Sequence, residues 1–338
     1  MALFMSRIIF VNGIQRNSQY ISAQRSIKRW VAPTLRVLKK RKEKMGCQPV
    51  QRRSAFLEWN YNAELYAFGK RLNEEFKEDL LQRAFTHKSY VDIEISKQRE
   101  VGIENSLLEM KDNDELITKG EKFMTSFIKG YLRLLLPHFP EEGISAVHEY
   151  LLSNENLAKV SLHIGTKDLI LCAEYPPSEL TLAHTLKALV GALDSSDAAS
   201  SFVNDLVITQ LAGKDLLELW SLENASAILT SILNKEGKAP PEPRLLYEAG
   251  PTTILASYAV GIYSDKEMIG CGFGESAAVA EDMAARDALR RLFHTPENMK
   301  PLPFIKRPKS KDVSARAEDS NPSVDEWTSN KLKNIVKC

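Results

Sequence analysis

The sequence has little cysteine, no long apolar run and no acidic side chain before Glu43. Its four cysteines, Cys47, Cys172, Cys271 and Cys338, lie far apart and form no paired spacing. This argues against a structural zinc site and against a disulfide framework. No stretch approaches the roughly 18 consecutive apolar residues of a membrane-spanning helix. A P-loop and a GxGxxG phosphate cradle are also missing. The sequence therefore predicts no metal, no cofactor and no membrane segment.

The composition is that of a folded protein. The 338 residues are 43% hydrophobic and 26% charged, with only 16 Gly and 15 Pro. Low-complexity and disordered chains have fewer apolar residues or more glycine and proline. The length suits two ordinary domains, each with a core of its own.

The net charge of +1 conceals two regions of opposite sign. Residues 1–53 carry 13 basic side chains and 1 acidic one, whereas residues 54–338 carry 32 basic and 43 acidic ones. An acid-free leader rich in Arg, Ser, Gln and aliphatic residues is typical of a mitochondrial transit peptide. We therefore expect residues 1–30 to direct import into the mitochondrial matrix and residues 31–55 to form a basic extension. The alternative is a basic arm that is retained.

Helical periodicity dominates residues 56–221. Leu65, Phe68, Leu72 and Phe76 recur at helical spacing, and a long apolar stripe from Leu116 to Leu135 stops before Pro137. Further helical patterns cover residues 142–152, 154–163, 179–194 and 198–219. Residues 97–112 are polar enough for a loop or a weakly packed helix. The first domain is predicted to be all-helical.

A second, smaller domain is predicted over residues 223–294. A helix through Leu229 precedes β-prone runs at 245–248, 254–263 and 268–272, with a hairpin turn at Asp265 and Lys266. Ser276 should cap a final helix. The fold class is α+β, with the order α-β-β-β-α in this domain. Residues 295–338 show little periodicity and are expected to form a flexible tail.

Four segments carry a resemblance to a known family. They are LLQRAFTHKSY at 80–90, NDELITKGEKFM at 113–124, SNENLAKVSLHIG at 153–165 and LAHTLKALVGAL at 182–193. In this order they resemble the conserved segments of ribonuclease III domains. Active members of that family hold Mg²⁺ on converging carboxylates, and the metal binds the water that attacks the phosphodiester.

The resemblance implies that this catalytic centre is degenerate. Laid on the family's pattern, Ile117 stands at the catalytic Glu and Glu121 at the Asp of the first segment, while His184 and Lys187 replace the Asp and Glu of the second. An ammonium about 4 Å from a divalent ion repels it by roughly 2 kcal/mol in water and about 8 kcal/mol at an effective dielectric constant near 20. Gly120, Ala188, Gly191 and Ala192 match the family, so the residues that let helices approach closely are kept.

Two interpretations of these positions differ in chemistry. In the first, Glu121 is a solvated helix residue, His184 is a partly buried histidine and Lys187 is exposed, so there is neither a catalytic residue nor a metal site. In the second, a metal centre is rebuilt around Glu121. The carboxylate count favours the first interpretation and predicts a pseudoenzyme.

The second domain resembles a double-stranded-RNA-binding domain through EAGPTT at 248–253 and GFGESAAVAEDMAARDAL at 272–289. Such domains bring a loop and a lysine-bearing helix start against the duplex. Here Ala277 and Ala278 stand where the family has a lysine pair, and Thr253 stands at a usual histidine. Residues 223–294 hold 7 basic and 10 acidic side chains. We expect weak duplex binding, in a domain kept for packing against proteins or shaped rRNA.

Together these features resemble the large-subunit mitochondrial ribosomal protein forty-four family, over about residues 58–294. The resemblance implies a structural component of the mitochondrial large ribosomal subunit, with large-subunit rRNA and mitochondrial ribosomal proteins as partners. It leaves open whether the helical domain dimerises with itself or with another ribonuclease III-like chain. The expected RNA-binding residues are Arg36, Lys39, Lys40, Arg41, Lys42, Thr252, Thr253 and Ser276. The alternatives are an endoribonuclease for structured RNA that borrows ligands from a partner, and an RNA chaperone outside the ribosome.

Overall fold

A computed structural model describes residues 33–46, 52–102, 111–295 and 310–328. The chain divides into two units between Gln51 and Arg52. In the first unit, α1 (Pro33–Lys44) is a helix without a buried residue. This helix is not predicted from the sequence pattern. The transit peptide predicted over residues 1–30 lies outside the described residues.

The second unit opens with helices, as predicted. They are α2 (Tyr61–Leu72), α3 (Glu78–Ala84), α4 (Lys88–Glu100), α5 (Asp114–Leu135), α6 (Glu141–Leu152), α7 (Asn154–Ile164), α8 (Glu179–Ala192), α9 (Ser196–Leu206) and α10 (Leu216–Trp220). Serine side chains begin three of them: Ser153, Ser178 and Ser195 each accept a hydrogen bond from a backbone amide of the first turn, at 3.0–3.3 Å. Such caps satisfy amides that have no partner inside the helix.

Two helices differ from the prediction by more than two residues or are divided. Helix α2 ends at Leu72, because Asn73 adopts a left-handed conformation with φ of 54°. Phe76 therefore lies in a loop, although it still packs on the core. The pattern at 198–219 is divided between α9, a 3-10 turn at Ile208–Leu211 and α10.

The helical domain is organised around the crossing of α5 and α8. Helix α8 is buried on nearly every side, and α5 directs Met124, Ile128 and Leu132 into the core. Gly120 and Gly191 form the crossing point. A Cβ on Gly120 would lie 1.9 Å from the carbonyl oxygen of Lys187, and one on Gly191 would lie 2.2 Å from that of Leu116. Only glycine fits at either position, so the close approach expected from the sequence is observed.

The smaller domain has the predicted α-β-β-β-α order. It consists of α11 (Ala225–Lys235), β1 (Glu242–Ala249), β2 (Ser257–Ser264), β3 (Glu267–Gly274) and α12 (Ala277–Leu292). The strands form an antiparallel sheet in the order β1-β2-β3. Asp265 and Lys266 make the hairpin turn, with φ of 50° and 69°. Helix α12 lies directly on Gly270 and Gly272, where a Cβ would collide with the backbone of Ala284.

The C-terminal segment corrects the prediction of a flexible tail. Residues 310–318 form a helix, α13 (Ser310–Glu318), whose Val313 carbonyl lies over Gly130 of α5. Trp327 is 2% exposed, and its indole donates a hydrogen bond of 2.9 Å to the carbonyl of His138. No periodic pattern marks this segment in the sequence, because its contacts are made by isolated side chains. Residues 296–309 and 329–338 lie outside the described residues.

Trp327 also belongs to an aromatic cluster between the helical and smaller domains. Phe293, directly after α12, makes edge-to-face contacts with Phe139 and Trp327, with ring centroids 6.0 and 5.6 Å apart. Arg290 of α12 forms an ion pair with Asp215 at the start of α10. The smaller domain is therefore packed against the helical domain by buried aromatic and charged groups.

Candidate functional site

The crossing of α5 and α8 brings three of the four degenerate positions together. The ammonium of Lys187 on α8 lies 2.8 Å from Oε1 of Glu121 on α5. His184, one turn before Lys187, lies close enough to both groups for their charges to act on its pKa. Ile117 is half-buried and packs on the apolar cluster that includes Leu189.

Lys187 is buried, which corrects the expectation that it is exposed. Its side chain is 9% exposed, whereas that of Glu121 is 51% exposed. The reason is the position of α8: its neighbours Leu186, Ala188 and Leu189 are all fully buried, so residue 187 has no solvent-facing side. A buried ammonium without a partner costs several kcal/mol, and Glu121 provides the opposite charge.

The ion pair removes the conditions for binding a divalent cation. Glu121 directs a carboxylate oxygen to Lys187, and Ile117 has no ligand atom. Magnesium requires several oxygen ligands in octahedral geometry. Among the residues that the structure describes, no group of three His, Cys, Asp or Glu side chains is placed to hold a metal. The residues present do not fit the family's magnesium ions.

His184 adds no negative charge to this site. Burial lowers its pKa, and the positive charge of Lys187 lowers it further. The imidazole is therefore neutral at pH 7, and a neutral nitrogen ligand suits zinc or copper better than magnesium. His87 begins α4: its Nδ1 lies 2.8 Å from the hydroxyl of Ser89 and accepts a hydrogen bond from the Ser89 amide.

The RNA-binding positions of the smaller domain are already engaged in local structure. The Ser276 hydroxyl accepts a hydrogen bond from the Val279 amide and caps α12. The Thr253 hydroxyl donates to the carbonyl of Gly250 at 2.8 Å and closes the β1-β2 loop. Thr252 in the same loop is exposed, and the fully exposed side chains that follow are Ile254 and Leu255. This loop presents apolar groups where a duplex-reading loop needs polar ones.

Helix α1 presents most of the basic residues of the extension. Arg36, Lys39, Lys40, Arg41 and Lys42 are all exposed. Arg36, Lys39 and Lys40 follow a spacing of three and four residues, which puts them on one face of the helix. Lys39 lies 3.7 Å from Glu43, an acidic residue on the same helix.

A buried polar network joins α5, α6 and the C-terminal segment, and the sequence pattern does not predict it. Arg133 of α5 pairs with Glu141 of α6, and its guanidinium donates to the carbonyl of Ala317 in α13 at 2.6 Å. The Asn321 side chain donates to the carbonyls of Leu136 and Phe139 at 3.0 and 2.9 Å. In the sequence, Arg133 lies on an otherwise apolar stripe, which indicates a buried charge. The sequence does not indicate which distant segment provides the hydrogen-bond acceptors for its guanidinium.

No helix within the described ranges combines the length and apolar character needed to cross a membrane.

Comparison with protein-family models gives two matches in chain order. The model "Large ribosomal subunit protein mL44, endonuclease domain" matches residues 60–193. The model "MRPL44 dsRNA-binding domain" matches residues 220–328. The second match extends through α13 to Trp327, the segment that packs against the helical domain.

Individual proteins are also similar to this chain. The large ribosomal subunit protein mL44 of Caenorhabditis elegans is 35% identical over 299 residues, which cover 86% of this chain and 74% of that protein. Ribonuclease 3 of Enterococcus faecalis is 28% identical over 224 residues, covering 63% of this chain and 90% of the relative. A solved structure, the nuclease domain of ribonuclease III from Campylobacter jejuni, matches with 20% identity and a TM-score of 0.36, covering 43% of this chain and 96% of that one. On the extent and identity of the match to the nematode protein, the chain belongs to the large ribosomal subunit protein mL44 family.

Proposed function

We propose that this chain is a structural component of the large ribosomal subunit of mitochondria, located in the matrix, where it binds rRNA and neighbouring ribosomal proteins. Its ribonuclease III-like domain serves as a scaffold without catalytic activity. Membership of the mL44 family supports the ribosomal part of the proposal.

The observation that carries the catalytic part is the ion pair between Lys187 and Glu121. An active centre needs a cluster of negative charge that attracts divalent cations. Here the cation is built into the protein as a buried ammonium, and it neutralises the single carboxylate that remains. The closely packed glycines of the same helices preserve the scaffold while the metal ligands are lost.

The RNA contacts follow the distribution of charge. Helix α1 presents six exposed basic side chains that can neutralise phosphates. The smaller domain contributes the N-terminus of α12, whose free amides favour a phosphate. Because Ala277 and Ala278 provide no lysine there, this domain adds shape complementarity more than charge.

Sedimentation of the endogenous protein in a density gradient of mitochondrial lysate tests the ribosomal part. We expect the chain in the large-subunit fraction and in intact ribosomes, and release from both when the subunit is dissociated. A chain that remains at the top of the gradient, or in a separate RNA complex, would indicate an RNA chaperone and contradict the proposal.

A cleavage assay tests the catalytic part. Purified full-length protein, free of contaminating nuclease, is incubated with duplex RNA and either Mg²⁺ or Mn²⁺. We expect intact RNA. Metal-dependent cleavage that disappears in Glu121→Gln would establish the endoribonuclease alternative instead.

A further inference from the structure

The sheet of the smaller domain leaves one of its faces open. Helix α12 covers the face that contains Gly270 and Gly272. Because side chains alternate along a strand, Phe273 points to the opposite face, as do its neighbours in the same row of the sheet. That row runs from Tyr247 of β1 through Ala259 of β2 to Phe273 of β3. Tyr247 and Phe273 are 65% and 69% exposed.

Large apolar side chains line both edges of this open face, and the surface between them is called the trough here. Its central strand β2 contributes Ala259 and Gly261, which are both buried, and Tyr263, whose ring lies beside Gly261. The wall on β1 consists of Leu246 and Tyr247, and Leu246 leans over Gly261 because a β-bulge at this point turns it to the open face. The wall on β3 consists of Met268 and Phe273, which are both exposed. A second β-bulge, at Ile269, places Met268 opposite Tyr263 and so on the open face. Two strand spacings separate the walls by about 10 Å.

The charges that frame the trough are mostly negative. The three strands and their connections, residues 242–275, carry five carboxylates against two basic side chains. One of the two basic groups, Arg244, is held by Glu242 at 2.8 Å and lies over the ring of Tyr263. Large exposed aromatic and Met side chains within a polar frame are the composition of protein-protein interfaces.

We propose that this trough, formed by Leu246, Tyr247, Ala259, Met268 and Phe273, is a docking surface for a neighbouring protein. The partner is a polypeptide segment in which a large apolar side chain is flanked by Lys or Arg. The apolar side chain packs against the exposed rings of Tyr247 and Phe273, and the basic groups meet the acidic frame. This inference goes beyond the proposed function, which assigns no surface to protein contacts.

Charge argues against two other occupants. Bases can stack on exposed aromatic rings, but platforms for single-stranded RNA combine those rings with a positive groove that follows the phosphates. The frame of this trough is negative. A second copy of the chain would bring two identical acidic frames together, which repel each other at close range.

Site-specific photocrosslinking tests the proposal in the full-length protein. A benzoylphenylalanine is incorporated at Met268 on one wall, the chain replaces the endogenous copy, and intact mitochondria are irradiated. Crosslinked peptides are then identified by mass spectrometry. The variant that tests the surface combines Tyr247→Ser with Phe273→Ser and so removes the exposed aromatic ring on each wall. The matched control is Tyr66→Ser on α2, because Tyr66 is also 69% exposed.

We expect a crosslink to one protein segment of the stated apolar and basic composition. The double variant should lower its yield at least tenfold, whereas the Tyr66→Ser control should leave it unchanged. Because the replaced side chains are exposed, circular dichroism melting of both variants should match the parent protein. A crosslink to RNA, to a second copy or to nothing would overturn the proposal. A density gradient of the same sample tests the ribosomal proposal independently. The crosslink can be detected in whichever fraction contains the chain, so failure of one proposal can be distinguished from failure of the other.

Discussion

Replacing Lys187 by glutamate would put a second carboxylate beside Glu121 at a position with little access to water. The Coulomb attraction across the present 2.8 Å contact is about 1.5 kcal/mol in water-like dielectric and about 6 kcal/mol at an effective dielectric constant near 20. Because half of Glu121 is exposed, the lower value is the better guide. Lys187→Glu turns this attraction into a repulsion of similar size, so the pair alone contributes about 3 kcal/mol of destabilisation. Burial of the new carboxylate raises the total to about 3–5 kcal/mol.

Lys187→Met separates the charge from the volume of the side chain. It removes the attraction, but it also removes the cost of burying an ammonium, and Glu121 can turn to water. The two changes nearly cancel, so we expect a change of less than about 1 kcal/mol. The exposed Lys159, paired with Glu155 on α7, provides the control: Lys159→Met should change stability by less than about 0.5 kcal/mol.

Thermal and urea unfolding of the purified full-length variants measure these differences. At roughly 2–4 °C per kcal/mol, Lys187→Glu should lower the melting temperature by about 10 °C at pH 7. The deficit should shrink toward pH 5, because crowding of two carboxylates raises the pKa of one of them and favours its protonation. Lys187→Glu should cleave no duplex RNA, since two carboxylates do not complete a two-metal site. Equal losses in Lys187→Met and Lys187→Glu would refute the electrostatic reasoning.

Four further predictions concern other parts of the protein. Gly191→Val should destabilise the protein by at least about 3 kcal/mol in urea unfolding, because its Cβ would collide with the carbonyl of Leu116; an unchanged midpoint would contradict the helix crossing. Trp327→Ala should cost about 3–5 kcal/mol by the same measurement, and a loss below about 1 kcal/mol would show that the C-terminal segment does not stabilise the fold. Lysines introduced together at Ala277 and Ala278 should tighten duplex-RNA binding and steepen its salt dependence, and nanomolar binding by the unaltered chain in physiological salt would contradict the degenerate surface. Burial, aided by the charge of Lys129, lowers the pKa of His148 to about 4. The unfolded chain takes up this proton near pH 6.5, so the folding free energy should weaken by about 2–3 kcal/mol between pH 6.5 and 4. His148→Gln should remove this part of the acid sensitivity, and an unchanged pH profile in that variant would exclude the assignment.

The regular elements could be predicted because their signals are local. The stripe of apolar residues on α5, the alternation on β2 and the Asp265-Lys266 turn each depend on neighbouring residues, and the structure has all three. The close contact of Gly120 with Gly191 came from the family pattern and is also observed. The end of α2 was misplaced because Asn73 adopts a positive φ, which the apolar spacing of Phe76 concealed.

Features that depend on distant segments could not be predicted. Lys187 looks like an ordinary solvated lysine in the sequence, and its burial follows only from the central position of α8. The segment around Asn321 and Trp327 has no periodic apolar pattern. Its side chains are held by hydrogen bonds to the backbone carbonyl groups of residues 136–139, and such contacts leave no pattern in the sequence. The trough on the sheet requires the register that aligns Tyr247, Ala259 and Phe273, and sequence alone does not give that register.

Our central claim is that the chain is a ribosomal scaffold without catalytic activity. Gradient sedimentation of the Glu121→Gln variant, expressed in place of the endogenous chain, tests this claim most directly. The amide oxygen of Gln can still accept the hydrogen bond from Lys187, while the last carboxylate of the degenerate centre is removed. We expect the same fraction of the variant in large subunits as of the unaltered protein, together with an unchanged rate of mitochondrial protein synthesis. Normal assembly with a failure of RNA processing, or loss of the variant from the large subunit despite normal folding, would contradict this account.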